Sequence, residues 1–371
     1  MGMLSRLRHS FIFQAHTPPP NLTGGATVTV HEANDAVDLL TKRLGDPTVD
    51  SPGAPTRSVI HIGAPPRPAS AADLVFLFGA GPLPRSVRHA GLVVADDAGR
   101  VAMLADAGRQ VLFTSGSMDE VSLQRIEVLT GRRNPADFDM SEAVSPALTR
   151  GVPRLVLTLP EFASRSAGFR AVDRLDITHV SGLRTFPAWT GAANSYRQMA
   201  RALLAAGHSH ALIAQDDMVP GPDFERRLAV AERHMLDSGA DMLAGLVTDI
   251  DDSFRVRRVE RQDGVTLVHL NKSVGLVMNI FGPRALARIA GWTRMPSGPH
   301  GPVTIDRYLA DSENFDVVVP LPFLVGHRLN ARSTIWSFAN GRYSTLIAYS
   351  EKRLWELVAE YEAGTHPHQP A

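Results

Sequence analysis

The stretch HALIAQDDMVPGPDF, residues 210–224, decides how this chain is read. An apolar run suited to a buried strand ends in two adjacent carboxylates, Asp216 and Asp217, and the chain then turns at Pro220, Gly221 and Pro222. Buried carboxylates are unfavourable unless they are paired or bind a cation. One reading makes them solvated residues where a strand stops. The other makes them ligands: in open α/β sheets ligands bind beyond the carboxyl ends of strands, and adjacent carboxylates offer hard oxygens to Mg²⁺ or Mn²⁺, which then neutralises a diphosphate.

The flanking segments supply the sheet that such a strand needs. GAANSYRQMARALLAAG at 191–207 carries apolar residues at three- and four-residue spacing, has no internal proline and ends at Gly207, so it reads as a helix feeding the strand. PDFERRLAVAERHMLDSG at 222–239 reads as a second helix, with Pro222 in its first turn and Gly239 as its stop. RLVLTLPEF at 154–162, DMLAGLVTD at 241–249, VGLVMNIFG at 274–282 and DVVVPLPFLVGH at 316–327 read as strands, and PRALARIAGW at 283–292 as a short helix. RVRRVERQDGVTLVHLNKS at 255–273 reads as a hairpin turning at Asp263-Gly264.

Upstream, HEANDAVDLLTKRLGD at 31–46 has helical spacing, and SVIHIGA (58–64), DLVFLFGAG (73–81), AGLVVADD (90–97), GRVAMLADAG (99–108) and RQVLFTSG (109–116) form a strand-like series. SMDEVSLQRIEVLTGRR at 117–133 is helix-like, and 134–150, without strong periodicity, reads as a link between two units. Strands alternating with helices, plus one hairpin, predict an α/β protein: a mixed sheet flanked by helices with an additional N-terminal α/β region. The expected division is 1–150, 151–345, and a C-terminal helix and tail over 346–371.

Composition sets outer limits. Lys plus Arg and Asp plus Glu are both 38, and zero formal charge argues against a broad nucleic-acid footprint. The absence of cysteine removes disulfides and thiolate metal sites, so any metal must use oxygen or histidine ligands. Apolar stretches are too short to span a bilayer, which takes ~20 residues, and the N-terminus is a poor signal peptide, so a cytoplasmic protein is expected. GAGPLP at 79–84 lacks the glycine spacing of a dinucleotide loop. Asp96-Asp97, within DDAGR, reads as a hairpin turn.

HSHALIAQDDMVPGPDF resembles the core of GT-A glycosyltransferases, in which a DxD-type element ends a strand and binds metal and nucleotide sugar. The likeness is strongest to the family 25, lipopolysaccharide-type group, with family 2 as a neighbour. RLVLTLPEFASRSAGFRAVD (154–173), SVGLVMNIFGPRALARIAG (273–291), VTIDRYLAD and VVVPLPFLVGHRLNARSTIW follow in the family's order, so the resemblance spans about 154–338. Gln215 stands where the family often has a glutamate before the two aspartates.

The resemblance implies a GT-A-like, Rossmann-like fold and a transfer from a nucleotide-diphosphate sugar to an acceptor hydroxyl, with inversion favoured. It implies Asp217 as the principal ligand of Mn²⁺ or Mg²⁺, Asp216 supporting the metal or touching the ribose, and His327 completing the shell. Asp306 becomes the candidate general base. Arg165 would pair with the diphosphate, Thr158, Leu159 and Pro160 would floor the nucleobase pocket, and Asn194, Ser195 and Arg197 would receive phosphate at a helix N-terminus. Each has a plainer reading: a turn histidine for His327, a helix-start acid for Asp306, an exposed helix arginine for Arg165, and a helix cap for Asn194. Trp189, Trp292 and Trp336 flank the proposed site without an assigned role.

The acceptor stays open among a glycan, a small molecule and a modified nucleic-acid base, the last kept by the basic patch at 255–262. Rival readings are a nucleotidyltransferase or other nucleotide-sugar enzyme, and an inactive GT-A-like binding module. Residues 1–150 would bind acceptor or partner, or form a homo-oligomer surface.

Overall fold

The computed structural model describes residues 20, 26–30, 40, 43–44, 58–70, 73–78, 82–87, 90–106, 111–113, 120–149, 151–170, 172–173, 175–295, 302–311, 315–331, 333–335 and 340–365. Trp336, the glycines of GAGPLP and the loop at 46–57 lie outside them. Among the described residues two separate sheets carry the fold.

The first holds β1 (Ala26–Val30), β2 (Ser58–Ile62), β3 (Leu74–Leu77), β4 (Leu92–Ala95) and β5 (Val111–Phe113), all parallel and side by side in chain order. Alternate residues serve opposite faces. Leu74, Phe76, Leu92 and Val94 pack under Leu123 and Ile126 of helix α2, while Val75, Leu77 and Val93 pack under Val101 and Leu104 of helix α1. Covering both faces explains the continuous apolar runs. Helix α1 is Ala98–Asp106 and α2 is Glu120–Leu129.

Helix α1 corrects two expectations. GRVAMLADAG is helical, because Val101 and Leu104, three apart, share its buried face, while the intervening Met103 is half exposed. Asp97 is no hairpin residue: β4 and β5 run parallel, so a crossover must join them, and Asp97 Oδ1 caps it by accepting from the Arg100 amide at 2.7 Å. The segment after α2 is no loose link either. Phe138, Met140, Val144 and Ala147 are buried in the larger core.

That core belongs to the second sheet. In chain order its half of the protein comprises β6 (Arg154–Thr158), α3 (Ala163–Arg170), β7 (Thr178–Ser181), α4 (Ala188–Ala205), β8 (Ala211–Gln215), β9 (Met218–Pro220), α5 (Phe224–Ser238) and β10 (Met242–Ala244). Then come β11 (Val256–Gln262), β12 (Val265–Leu270), β13 (Met278–Phe281), α6 (Pro283–Ala290), α7 (Ile305–Ala310), β14 (Val317–Leu321), β15 (Val325–His327) and α8 (Gly341–Glu362). The sheet order is β11-β12-β14-β10-β13-β8-β6-β7. Strands β7, β6 and β8 are parallel, β13 is antiparallel between β8 and β10, and β10 pairs parallel with β14. The larger half is thus a mixed sheet flanked by helices, as expected.

The hairpin β11–β12 turns at Asp263 and Gly264, whose φ values of 50° and 73° are those an Asn/Asp-Gly type I′ turn requires. Three boundaries move. Helix α4 starts at Ala188, earlier than 191; α5 starts at Phe224, leaving Pro222 outside it; and α8 starts at Gly341, before 346. DVVVPLPFLVGH is two strands, since Pro322 has no N–H to continue a ladder and the chain leaves β12 to pair with β9 instead.

The two halves are joined by a buried ion pair. Arg125 of α2 donates through Nη2 to both oxygens of Glu161, at 2.8 and 3.0 Å, and through Nε to the Gly182 carbonyl at 3.2 Å. Arg184 reaches back to donate to the Val111 carbonyl in β5.

Candidate functional site

Strand β8 delivers the acid pair. Ala211 to Ala214 are wholly buried, Gln215 ends the strand beside Leu157 of β6, and Asp216 and Asp217 follow at 3% and 4% exposure. They are therefore not solvated loop residues. The chain turns immediately into β9, which pairs antiparallel with β15 and sets Met218 opposite His327. The Arg328 amide donates to the Asp217 carbonyl at 2.7 Å, so a residue more than a hundred positions downstream is tied to the acid pair.

Arg165 of α3 lies across both acids. Its Nε and Nη2 donate to Asp216 Oδ1 at 2.9 and 2.5 Å, and Nη2 is 3.1 Å from Asp217 Oδ2. Asn340 Nδ2 donates to Asp217 Oδ2 at 2.7 Å. Gly168 makes room for the second arginine: a Cβ there would sit 1.7 Å from Nη1 of Arg328, which donates to the Arg165 carbonyl at 3.2 Å.

Several buried polar atoms at this spot have no hydrogen-bond partner: Asp216 Oδ2, Asp217 Oδ1, both ring nitrogens of His327, and Asn340 Oδ1. Native interiors leave few such groups, and each calls for an explanation such as an ion. Two carboxylates here face the guanidinium of Arg165, with the charge of Arg328 close enough to act on Asp216. Burial, reinforced by Asp217, pushes Asp216 up to about 6, with Arg165 opposing. Burial also acts on Asp217, but Arg165, His327 and Asn340 outweigh it and hold this carboxyl below its ordinary value. Burial lowers His327, with the Asp217 charge beside it opposing. Two carboxylates and one imidazole are donors of the kind a hard or borderline cation takes, and in this structure Arg165 lies across the two carboxylates.

Beside the pair opens a narrow cleft of about 60 Å³. Leu157, Thr158 and Leu159 lie at the end of β6, Gly182 to Thr185 form a wall, Ala188, Ala192 and Ser195 of α4 face them, and Thr334 and Ile335 complete the rim. Ser195 Oγ accepts from the Leu183 amide at 2.8 Å and fixes that wall. Asp306 sits in the first turn of α7, accepting from the Thr304 hydroxyl at 2.5 Å. Its charge and that of Asp217 both help raise Tyr196 and Tyr343, after burial, which puts Asp306 in the same neighbourhood. The Tyr343 ring lies 5.3 Å from that of His327.

The sequence-level candidates divide accordingly. Arg165, Asp216, Asp217 and His327 come together, and Thr158 and Leu159 line the adjoining cleft. Pro160 is not among the lining residues of that cleft. Arg165 is not exposed: it lines the cleft, but the acid pair takes its guanidinium. Asn194 is no cap: Pro187 precedes the first turn of α4, and Asn194 Nδ2 donates to the Thr190 carbonyl at 2.8 Å in the second turn. Asn194 and Arg197 instead line a second cleft with Thr185, Asn134, Trp292 and Arg294, about 1200 Å³ with open solvent. Ser195, on the next face of the helix, lines the first. Sequence reasoning missed Asn340 and Arg328, which no local motif marks.

The fold and site define a class: a mixed α/β protein with a buried acid pair, bridged by an arginine, at the carboxyl edge of its larger sheet. No family model and no curated protein matches the sequence. Among solved structures, A197 from STIV aligns with 45% of this chain and 84% of its own at 12% identity, with a TM-score of 0.27, an overlap that defines neither fold nor function. No helix among the described residues is long and apolar enough to cross a membrane.

Proposed function

We propose that this protein is a metal-dependent glycosyltransferase of GT-A type, moving a sugar from a nucleotide-diphosphate donor to an acceptor hydroxyl. The observation that carries the reading is the set of unpartnered buried atoms on Asp216, Asp217 and His327 beside an open cleft at the end of β6 and β8. Asp217, Asp216 and His327 would hold Mn²⁺ or Mg²⁺, which supplies charge neutralisation for a departing diphosphate. The partly apolar floor at Leu157 and Leu159 suits a flat nucleobase, and Thr158, Thr185 and Thr334 suit its polar edges and ribose.

In the transfer, the acceptor oxygen forms the new bond to the anomeric carbon while the bond to the diphosphate breaks. Asp306 takes the hydroxyl proton. Arg165 positions Asp216 and Asp217 and lowers their mutual repulsion. The second cleft meets the first at Thr185 and offers Asn134, Asn194, Arg197 and Arg294 to a hydroxyl-rich acceptor. A nucleic-acid acceptor is disfavoured by the position of the basic strand β11, which is the sheet edge remote from β8.

Purified protein is screened against nucleotide sugars with Mn²⁺, following nucleoside diphosphate release. Release that requires both the metal and one donor supports the reading; silence, with no metal-dependent nucleotide binding by calorimetry, sinks it. Asp306→Asn should lower kcat about 10²- to 10⁴-fold with donor KM retained, the range for loss of a general base. An unchanged kcat removes Asp306 from that role.

One observation favours a second reading, an inactive binding module. Arg165 already contacts both aspartates, as a cation substitute would. Metal-dependent turnover in the same screen separates the two.

A further inference from the structure

We infer that the protein carries a second metal site, for a borderline cation of the Zn²⁺ type, where the hairpin β11–β12 meets helix α5. Its ligands are His234 of α5, His269 of β12 and Glu260 of β11, whose ligand atoms lie within 4.8 Å of one another. Both histidines are buried, at 7% and 1% exposure, and Glu260 stands at the solvent edge with its side chain 40% exposed.

The imidazoles are prepared for this role. Asp316, which immediately precedes β14, is 2.9 and 3.0 Å from His269 Nδ1 through its two oxygens. It is held in turn, its own amide donating to Asp241 Oδ2 at 2.9 Å. A carboxylate on Nδ1–H fixes the tautomer that presents Nε2 as a lone pair, the arrangement found behind metal-bound histidines. His269 Nε2 faces His234 Nε2 at 2.8 Å.

Hydrogen bonding alone accounts for these contacts poorly. Arg258 Nη2 also lies 3.0 Å from His269 Nε2, so two N–H donors converge on a single lone pair. A cation accepting both Nε2 lone pairs removes that competition. Arg258 Nε now pairs with Glu260 Oε1 at 2.9 Å; with its side chain 47% exposed it can turn to solvent and leave Glu260 to the metal. Two metal–nitrogen bonds of ~2.0–2.1 Å at a tetrahedral angle set the nitrogens roughly 3.3 Å apart, so the rings must separate by about half an ångström. Two imidazoles and one carboxylate leave the fourth position to water.

This site is independent of the acid pair and of the proposed transfer. Strands β14, β10 and β13 lie between β12 and β8, which at the usual strand spacing is roughly 19 Å. Its effect is structural: it clamps an edge hairpin to the helix that packs on it, and so limits fraying of an exposed edge.

The test uses the full chain, stripped with chelator, in the Asp217→Asn background, which keeps the fold while removing the first site's contribution. Zn²⁺ is titrated by calorimetry, and Co²⁺ is followed by its tetrahedral absorption bands. One equivalent should bind, raising the Tm. His234→Gln and, separately, the solvent-edge Glu260→Gln should each weaken binding more than tenfold and remove the Tm shift. Asp316→Asn, a positioning change, should weaken binding about 10- to 100-fold while keeping the cobalt bands. Absence of Zn²⁺ binding in the folded Asp217→Asn protein overturns the inference. So does binding that a folded Glu260→Gln variant, verified by circular dichroism, leaves unchanged.

Discussion

Asp217→Ala should abolish Mn²⁺-dependent release of nucleoside diphosphate and weaken Mn²⁺ binding more than ~100-fold, beyond the 10–100-fold typical of outer-sphere changes. The side chain offers Oδ1, buried and unpartnered, while Oδ2 anchors Asn340 and Arg165. Truncation thus removes the free ligand atom and leaves the Asn340 amide without its acceptor, a loss of about 1–3 kcal/mol of stability. Asp217→Asn separates the two effects. It keeps the volume and an acceptor for Asn340 but loses the charge, so it should stay folded and still fail to bind Mn²⁺. Calorimetry beside a thermal melt decides the matter. A folded Asp217→Asn protein that binds Mn²⁺ like the parent would remove Asp217 from the metal site.

Arg125→Met should cost about 3–5 kcal/mol, the loss expected when one partner of a buried ion pair is removed. The side chains of Arg125 and Glu161 are 4% and 0% exposed, so Glu161 would lose its bidentate partner in a dry setting, with the charge of Arg184 still acting on it, and the Gly182 carbonyl would lose its donor. Glu161 lies beside β6, and Gly182 lines the cleft, so the damage should also raise donor KM. Adding Glu161→Gln should recover part of the stability, because the buried carboxylate charge is removed, while buried Arg184 loses the favourable charge of Glu161. Urea unfolding of the single and double variants reads this out. If Arg125→Met loses less than about 1 kcal/mol, the contact does not hold the halves together.

The same pair gives the described part of the N-terminal sheet and helix α2 a physical role that their sequence concealed. A parallel five-stranded sheet braces the walls of the cleft through α2 and β5. Nothing local marks Arg125 as a buried anchor, for EVSLQRIEVL reads as an ordinary amphipathic helix.

Legibility followed interaction range. The Asp263-Gly264 turn was readable because only a small set of residues takes positive φ without strain. The strand β8 and the helix α4 were readable from apolar periodicity. Helix α1 was misread because GRVAMLADAG is short and apolar, and such a run fits a strand or a buried helix equally until its faces are known. The role of Asn194 failed on a shift of three residues in the start of α4, enough to turn a cap into a side-wall residue of another cleft.

By itself, then, the sequence determined that the chain is α/β, that a core strand ends in Asp216-Asp217, and that any metal there must be met by oxygen and nitrogen. Only the tertiary structure decided that the acids are buried, that Arg165 lies across them, and that His327 and Asn340 join them. The reason is the reach of the interactions. Periodicity and turn chemistry act over a few residues, whereas β9 pairs with β15 across more than a hundred, and that register is chosen by the packing of the whole sheet.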